Sequence, residues 1–406
     1  MKKTLLSAMA LALIFSASCS SDNNNGSGTT TPVETDTDPM TVANVRTYMA
    51  DPNATAETVA LFYNLRKLQK TKFLIGQQDA FNGFYQEVSG SSDIKKNTGS
   101  DPALLGSDFM FITDNQNDGT AQNWFHQQEI IITDDAKEAY NKGMVNTFSW
   151  HLREPYRGLS FYTDDMTAEE KANAFISILP GGENHNYFKQ KLDKVASVLN
   201  NLKGADGKLI PVIFRPFHEF DGSWFWWGAA YCTPDQYKQA WQFLVTYLRD
   251  TKGVHNVLYA YSPDNSYTTS AAYLGRYPGD AYVDVLGMDN YGDFTGSTSG
   301  VTRANSKLAM LGTLAKDKVK ISALTETGYR VTATTSPISG FFSTNMYTAL
   351  TGGDISVAYV MFWNNDASGY YVPPAGQANT QDFKDFTTKS KSVLQQNIPS
   401  LYTLAQ

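Results

Sequence analysis

The chain has 406 residues, of which 42% are hydrophobic and only 18% are charged, a balance that excludes an intrinsically disordered protein and predicts a folded core. Its 40 acidic residues outnumber its 33 basic ones, so the net charge of −7 excludes a basic nucleic-acid-binding surface, and nucleic acid is not an expected partner. The chain is longer than the roughly 250–300 residues that usually share one hydrophobic core. A barrel with long loops can exceed this length and still be one domain.

Residues 1–18 have the features of an export signal. Lys2 and Lys3 give a basic start, and Leu5–Phe15 form an apolar stretch that is too short to span a bilayer. Small residues immediately precede Cys19, which resembles a bacterial lipoprotein cleavage site in which this cysteine becomes the lipidated N-terminus. We expect an exported protein that is anchored by lipid to the outer membrane. The polar residues after Cys19 resemble a surface-export tag, but the sequence leaves open which face of the membrane carries the anchor. An ordinary signal peptide that contains a cysteine is the alternative.

Residues 19–39 are predicted to be a flexible tether. From Ser20 to Pro39 the sequence is mostly Ser, Asn, Asp, Gly and Thr, with almost no apolar residue that could contribute to a core. Residues 40–406 are therefore expected to form the folded domain, beginning with a helix over Ala56–Lys70 whose apolar residues recur at helical spacing.

The folded domain alternates buried strands with amphipathic helices. Segments such as Phe188–Leu202 and Pro234–Arg249 carry apolar residues at helical spacing between the strands. Eight short apolar runs each end in polar or aromatic residues: Phe73–Gly76, Phe109–Ile112, Met144–Phe148, Leu209–Phe214, Val257–Tyr261, Val283–Met288, Lys318–Leu324 and Ser356–Phe362. This alternation predicts an α/β fold with a parallel sheet, and polar strand ends favour a (β/α)8 TIM barrel. An open doubly wound sheet is the alternative, but no Gly-rich phosphate loop follows the first strand.

The richest cluster of polar and aromatic residues follows the fourth strand. Arg215, His218 and Glu219 come directly after the apolar run Leu209–Phe214, and three tryptophans that we expect to be exposed follow at positions 224, 226 and 227. Charges within a core need partners, so this cluster is expected at a strand end that faces a cleft. Indole faces stack on sugar rings and a carboxyl group can protonate a glycosidic oxygen, so the cluster suits a carbohydrate ligand.

A glycosidase usually requires a second carboxyl group, which lies about 5–5.5 Å from the first in retaining enzymes. Glu326 is the candidate, because it follows the seventh strand in Thr325-Glu326-Thr327-Gly328. Glu219 could instead form a structural ion pair with Arg215, and Glu326 could be a solvated residue at a strand end.

The segments Arg215-Pro216-Phe217-His218-Glu219, Gly222–Gly228 and Thr325–Gly328 together resemble glycoside hydrolase family 26, whose best-known members are β-mannanases. The resemblance extends from about residue 40 to the end of the chain. It implies a (β/α)8 barrel with Glu219 as the acid/base after strand four and Glu326 as the nucleophile after strand seven.

The resemblance also implies roles for neighbouring residues. It suggests that Arg215 supports the nucleophile, that Tyr291 donates a hydrogen bond to it, and that Trp224 and Trp363 are platforms for sugar rings. His151 matches a histidine that lines the subsite beyond the scissile bond. His218 is expected to orient substrate or tune a carboxyl group, with a purely structural histidine as the alternative.

The resulting hypothesis is a retaining endo-β-1,4-mannanase that acts on mannan, glucomannan or galactomannan by double displacement. The alternatives are a β-glucanase or β-1,3-xylanase of the same family, an exo-acting mannobiohydrolase, and a surface glycan-binding lipoprotein without activity. No metal site and no cofactor are expected, because the five histidines are scattered without paired ligand spacing. Cys232 is expected to be a lone buried or semi-buried thiol, which leaves the folded domain without a disulfide.

Overall fold

The computed structural model describes residues 38–404. The predicted signal peptide, Cys19 and the tether up to residue 37 lie outside the described residues. Between residues 38 and 404, no helix has the length and apolar character needed to cross a membrane.

Eight parallel strands form a closed barrel. They are β1 (Phe73–Gln78), β2 (Leu104–Asp108), β3 (Val145–Ser149), β4 (Val212–Arg215), β5 (Val257–Tyr261), β6 (Val285–Asn290), β7 (Ile321–Thr327) and β8 (Tyr359–Phe362). Each strand pairs with the next along the chain, and β8 pairs back with β1. The predicted (β/α)8 TIM barrel is therefore confirmed.

Helices connect the strands and cover the barrel. They are α1 (Ala56–Leu68), α2 (Asp93–Thr98), α3 (Trp124–Asn141), α4 (Ala168–Ser177), α5 (His185–Asn201), α6 (Pro234–Thr246), α7 (Ser270–Tyr273), α8 (Thr298–Lys318), α9 (Tyr347–Thr351) and α10 (Thr380–Thr387). The start of α6 shows how local sequence sets a boundary: Thr233 and Gln236 form a reciprocal capping box around Pro234 at the first helical position.

Shorter elements complete the fold. Single helical turns lie at Val45–Tyr48, Tyr85–Glu87, Tyr247–Thr251, Leu274–Arg276, Asp280–Tyr282, Phe341–Met346 and Gln395–Asn397. Two-residue strands at Val331–Thr332 and Gly369–Tyr370 pair with each other in antiparallel fashion, and Ser392–Val393 pairs with β1.

The N-terminal end of the barrel is closed by the segment that precedes α1. The backbone N–H of Ala50 donates to Asp284, just before β6, and the ammonium of Lys320, just before β7, donates to the carbonyl of Tyr48. Val45 and Met49 pack in one buried cluster with the apolar residues of the strands. A ligand must therefore approach from the opposite end, where the strands terminate in polar residues.

The second strand was predicted wrongly at Phe109–Ile112. The strand is Leu104–Asp108, and Phe109 begins a turn in which its ring packs 4.7 Å from that of Phe148. A run of apolar residues indicates that a segment is buried but not which backbone conformation it has, so a buried turn can be mistaken for a strand. Gly106 further weakened the strand pattern, yet it is required there, because a Cβ atom would lie 2.3 Å from the side-chain oxygen of Gln78.

Candidate active site

The backbone changes direction sharply where β4 ends. Phe217 and Glu219 have φ angles of 48° and 50°, in the left-handed region that side chains other than glycine rarely adopt. Strand geometry therefore stops at Arg215, and the alternation of side chains along a strand does not set the orientation of His218. Two hydrogen bonds hold the strained turn, from Tyr237 to the carbonyl of Phe217 at 3.0 Å and from the N–H of Glu219 to the carbonyl of Ser262 at 2.9 Å. Backbone strain of this kind often marks functional sites.

The barrel brings Glu219 and Glu326 together. These two glutamates and Asp289, near the end of β6, each offer a carboxylate oxygen within 4.8 Å of the others. The predicted meeting of two acids from distant parts of the chain is therefore observed. Among the residues that the structure describes, no other set of three side chains is placed to share a metal ion. Arg215 contacts both Asp289 and Glu326, and so offsets part of the negative charge of this cluster.

Glu326 lies within β7 and is held by two donors. The guanidinium of Arg215 donates to one carboxylate oxygen, and the hydroxyl of Tyr291 donates to the other at 3.0 Å. Both contacts were expected from the resemblance. They fix the orientation of a carboxylate that is only 3% exposed.

Arg215 is itself fixed by Asp289, which was not recognised from the sequence. Asp289 is fully buried; it accepts from Arg215 at 2.7 Å and, through its other oxygen, from the Thr325 hydroxyl at 2.7 Å. Burial opposes the charge on Arg215, but Asp289 and Glu326 outweigh it and hold the pKa of Arg215 above its ordinary value. The sequence did show an acid at the end of the sixth strand. It could not show that Asp289 pairs with Arg215, because that contact depends on how the barrel closes.

Glu219 has a different environment. Burial, followed by the charges of Glu326 and Asp264, raises the pKa of Glu219 to about 8, although the indole N–H of Trp224 donates to its carboxyl at 2.7 Å and opposes the rise. Glu219 is therefore protonated at neutral pH. One carboxyl that is neutral and another that is paired with a cation can perform different steps of one reaction.

The two predicted histidines lie side by side near this pair. Their rings are 4.6 Å apart, and His151 also lies 6.1 Å from the ring of Trp363 at the end of β8. Burial, with the nearby charge of Arg215, lowers the pKa of His218 well below its ordinary value, so its ring is neutral. His151 contacts Asp108, the last residue of β2. Asp108 was not recognised as a strand end, because the second strand was predicted at Phe109–Ile112.

Of the three tryptophans expected to be exposed, only Trp224 is, with 38% of its surface accessible. Trp226 and Trp227 are fully buried, and their indole groups donate to the carbonyls of Leu152 at 2.8 Å and His218 at 2.7 Å. They support the loop rather than offer a surface, because a buried indole needs a hydrogen-bond acceptor. All the predicted site residues in the described part of the chain thus lie at the C-terminal ends of the strands, at the same end as the glutamate pair.

Comparison with known proteins agrees with this geometry. The Glycosyl hydrolase family 26 profile matches residues 50–350. The mannan endo-1,4-beta-mannosidase of Bifidobacterium adolescentis is 34% identical over 364 residues, which cover 85% of this chain but 35% of that longer protein. The solved structure of GH26C from Muricauda sp. MAR_2010_75 is 54% identical, with a TM-score of 0.89 over 89% of this chain and 98% of that one. An endo-beta-1,4-mannanase structure from Cellulomonas fimi is 35% identical, with a TM-score of 0.80 over 87% of this chain and 79% of that one. The chain therefore belongs to glycosyl hydrolase family 26.

Proposed function

We propose that the protein is a retaining endo-β-1,4-mannanase that hydrolyses mannan, glucomannan or galactomannan. The observation that carries this proposal is the approach of the Glu219 and Glu326 carboxyl oxygens to within 4.8 Å. Retaining glycosidases hold their two carboxyl groups about 5–5.5 Å apart, whereas inverting enzymes leave about 6.5–9.5 Å for a water molecule. The names of the relatives from Bifidobacterium and Cellulomonas support mannan as the substrate.

In the first step, Glu326 attacks the anomeric carbon while Glu219 donates its proton to the glycosidic oxygen. The products are a glycosyl-enzyme ester on Glu326 and a free leaving sugar. Formation of the ester removes the negative charge of Glu326, which is a main cause of the raised pKa of Glu219. Glu219 is then better able to remain ionised, which suits its second task of taking a proton from the water that hydrolyses the ester.

The catalytic pair is tested by Glu219→Ala and Glu326→Ala. Each variant should lose several orders of magnitude of kcat on mannan while its circular dichroism spectrum stays that of the folded wild type. Glu138→Ala, at an exposed position on α3, is the matched control and should keep full activity. Near-normal turnover by either active-site variant would remove the assignment.

The substrate is tested with mannan, mixed-linkage β-glucan and β-1,3-xylan, followed by sizing of the products. Release of a range of manno-oligosaccharides with a rapid loss of viscosity supports internal cleavage of mannan. Release of mannobiose alone would indicate exo action, and products from β-glucan or xylan would change the substrate. Binding without any product would favour a surface glycan-binding lipoprotein.

We also propose that the enzyme is anchored to the outer membrane through a lipid on Cys19. The basic start, the short apolar stretch and the small residues before Cys19 support this location. Labelled palmitate should be incorporated into the wild-type protein but not into Cys19→Ser. Labelling of the serine variant, or equal release of both proteins into the medium, would reject the anchor.

A further inference from the structure

Asp108 is the centre of a hydrogen-bond network at the ends of β2 and β3. One carboxylate oxygen accepts from the backbone N–H groups of Met110 at 2.7 Å and His151 at 3.1 Å. The other accepts from the hydroxyl of Ser149 at 2.8 Å and lies 2.5 Å from Nδ1 of His151. The network therefore ties the end of β2 to the end of β3 and fixes the imidazole of His151 in place.

These contacts determine which nitrogen of His151 carries the proton. Burial opposes ionisation of Asp108, but the contact with His151 and the hydrogen bonds outweigh it and hold the pKa of Asp108 below its usual range. An ionised carboxylate can only accept hydrogen bonds, so Nδ1 of His151 must donate. In the neutral ring the other nitrogen, Nε2, then carries a lone pair and is an acceptor.

Nε2 of His151 makes no hydrogen bond to any residue between 38 and 404. The ring is bordered by Phe161 at 4.7 Å, Phe225 at 5.4 Å and Trp363 at 6.1 Å, measured between ring centroids. Phe225 directly follows Trp224, which contacts the carboxyl of Glu219. An acceptor is therefore held among aromatic rings, one of which is the chain neighbour of the tryptophan that contacts the acid/base candidate, and such surroundings suit a sugar ring.

We propose that Asp108 is a positioning residue that holds His151 as the Nδ1–H tautomer, so that Nε2 accepts a hydrogen bond from a hydroxyl of the bound sugar. The identity of the ligand rests on the proposed function, whereas the tautomer is a property of the protein alone. A pyranose suits this site because each of its hydroxyl groups can donate one hydrogen bond while its apolar face packs against an aromatic ring.

Asp108→Asn is the decisive variant because it keeps the shape of the side chain and adds a donor. The amide N–H₂ can donate to Nδ1 of His151, and the ring proton then moves from Nδ1 to Nε2. Nε2, which accepts from the sugar in the wild type, becomes a donor. Ser149→Ala is the matched control, because it removes one donor to Asp108 without touching the imidazole.

The tautomer is measured by ¹⁵N NMR on the ligand-free protein labelled at its histidines, with His151→Gln used to assign the signals. The wild type and Ser149→Ala should show a protonated Nδ1 and an unprotonated Nε2 for His151, and Asp108→Asn should lose this pattern. A wild-type His151 that is protonated on Nε2 instead would overturn the proposal, even if the Asn variant failed to fold.

Kinetics on manno-oligosaccharides provide the second readout. Loss of one ground-state hydrogen bond should raise KM about tenfold in Asp108→Asn and leave kcat within about threefold, with Ser149→Ala near the wild type in both. An unchanged KM in Asp108→Asn, or an equal rise in Ser149→Ala, would also overturn it. If the wild type releases no product from any polysaccharide, the proposed function fails, and the NMR measurement then decides the role of Asp108 by itself.

Discussion

Replacement of Glu219 by glutamine should make the protein more stable as it removes the catalytic acid. A glutamate side chain ordinarily has a pKa of 4.5, and burial with the charges of Glu326 and Asp264 raises that of Glu219 to about 8. Between these two values the folded protein binds a proton that the unfolded chain does not, so stability falls as pH rises from 4.5 to about 8 and then levels off. Glutamine has no proton to bind, and its amide oxygen can still accept from Trp224.

The magnitude follows from the difference in pKa. One pKa unit corresponds to about 1.4 kcal/mol, so the raised pKa of Glu219 lowers the free energy of unfolding of the wild type by about 3 kcal/mol at pH 7 and by about 5 kcal/mol above pH 8, relative to its value below pH 4.5. These are upper values, because Glu219 keeps partial contact with solvent, which screens the interaction. At pH 4.5 the wild type and Glu219→Gln should differ little.

Urea unfolding from pH 4.5 to pH 9 tests this prediction. The free energy of unfolding of Glu219→Gln should exceed that of the wild type by an amount that grows with pH up to about 8. Glu138→Gln, which removes one exposed carboxylate, controls for the change in net charge. Parallel stability curves for the wild type and Glu219→Gln would show that Glu219 is not held in a protonated state, and the assignment of the acid would lose its physical basis.

Three further outcomes are expected. The kcat/KM of the wild type should fall about tenfold per pH unit above about pH 8, where Glu219 loses its proton, and a profile that stays flat to pH 10 would contradict this assignment. Tyr291→Phe, which removes a donor to Glu326, should lower kcat about 10- to 100-fold with little change in Tm; unchanged kcat would show that the bond is not used in the reaction. Burial raises the pKa of Cys232 to about 11, so iodoacetamide at pH 8 should alkylate this thiol in urea but not in the folded protein, as measured by mass spectrometry.

Local sequence was sufficient to predict an element where the residues that set its limits lie within the same segment. The limits of β5, Val257–Tyr261, agree with the prediction, and α6 begins at Pro234 as its capping residues indicate. Cys232 is a buried free thiol, as predicted. The errors occurred where the pattern reports only burial. Phe109–Ile112 is a buried turn, and Trp226 is enclosed by the loop that it supports.

The sequence by itself predicted the barrel, because repeated strand and helix periods define this fold, and the motifs around Glu219 and Glu326 singled out these two acids near the ends of two strands. Only the tertiary structure decided how far apart the two carboxyl groups lie and which of them is buried as a neutral acid. It also supplied Asp289 behind Arg215 and Asp108 behind His151. These contacts join side chains from different strands, and their geometry depends on how the sheet closes from β8 to β1, which no local spacing encodes.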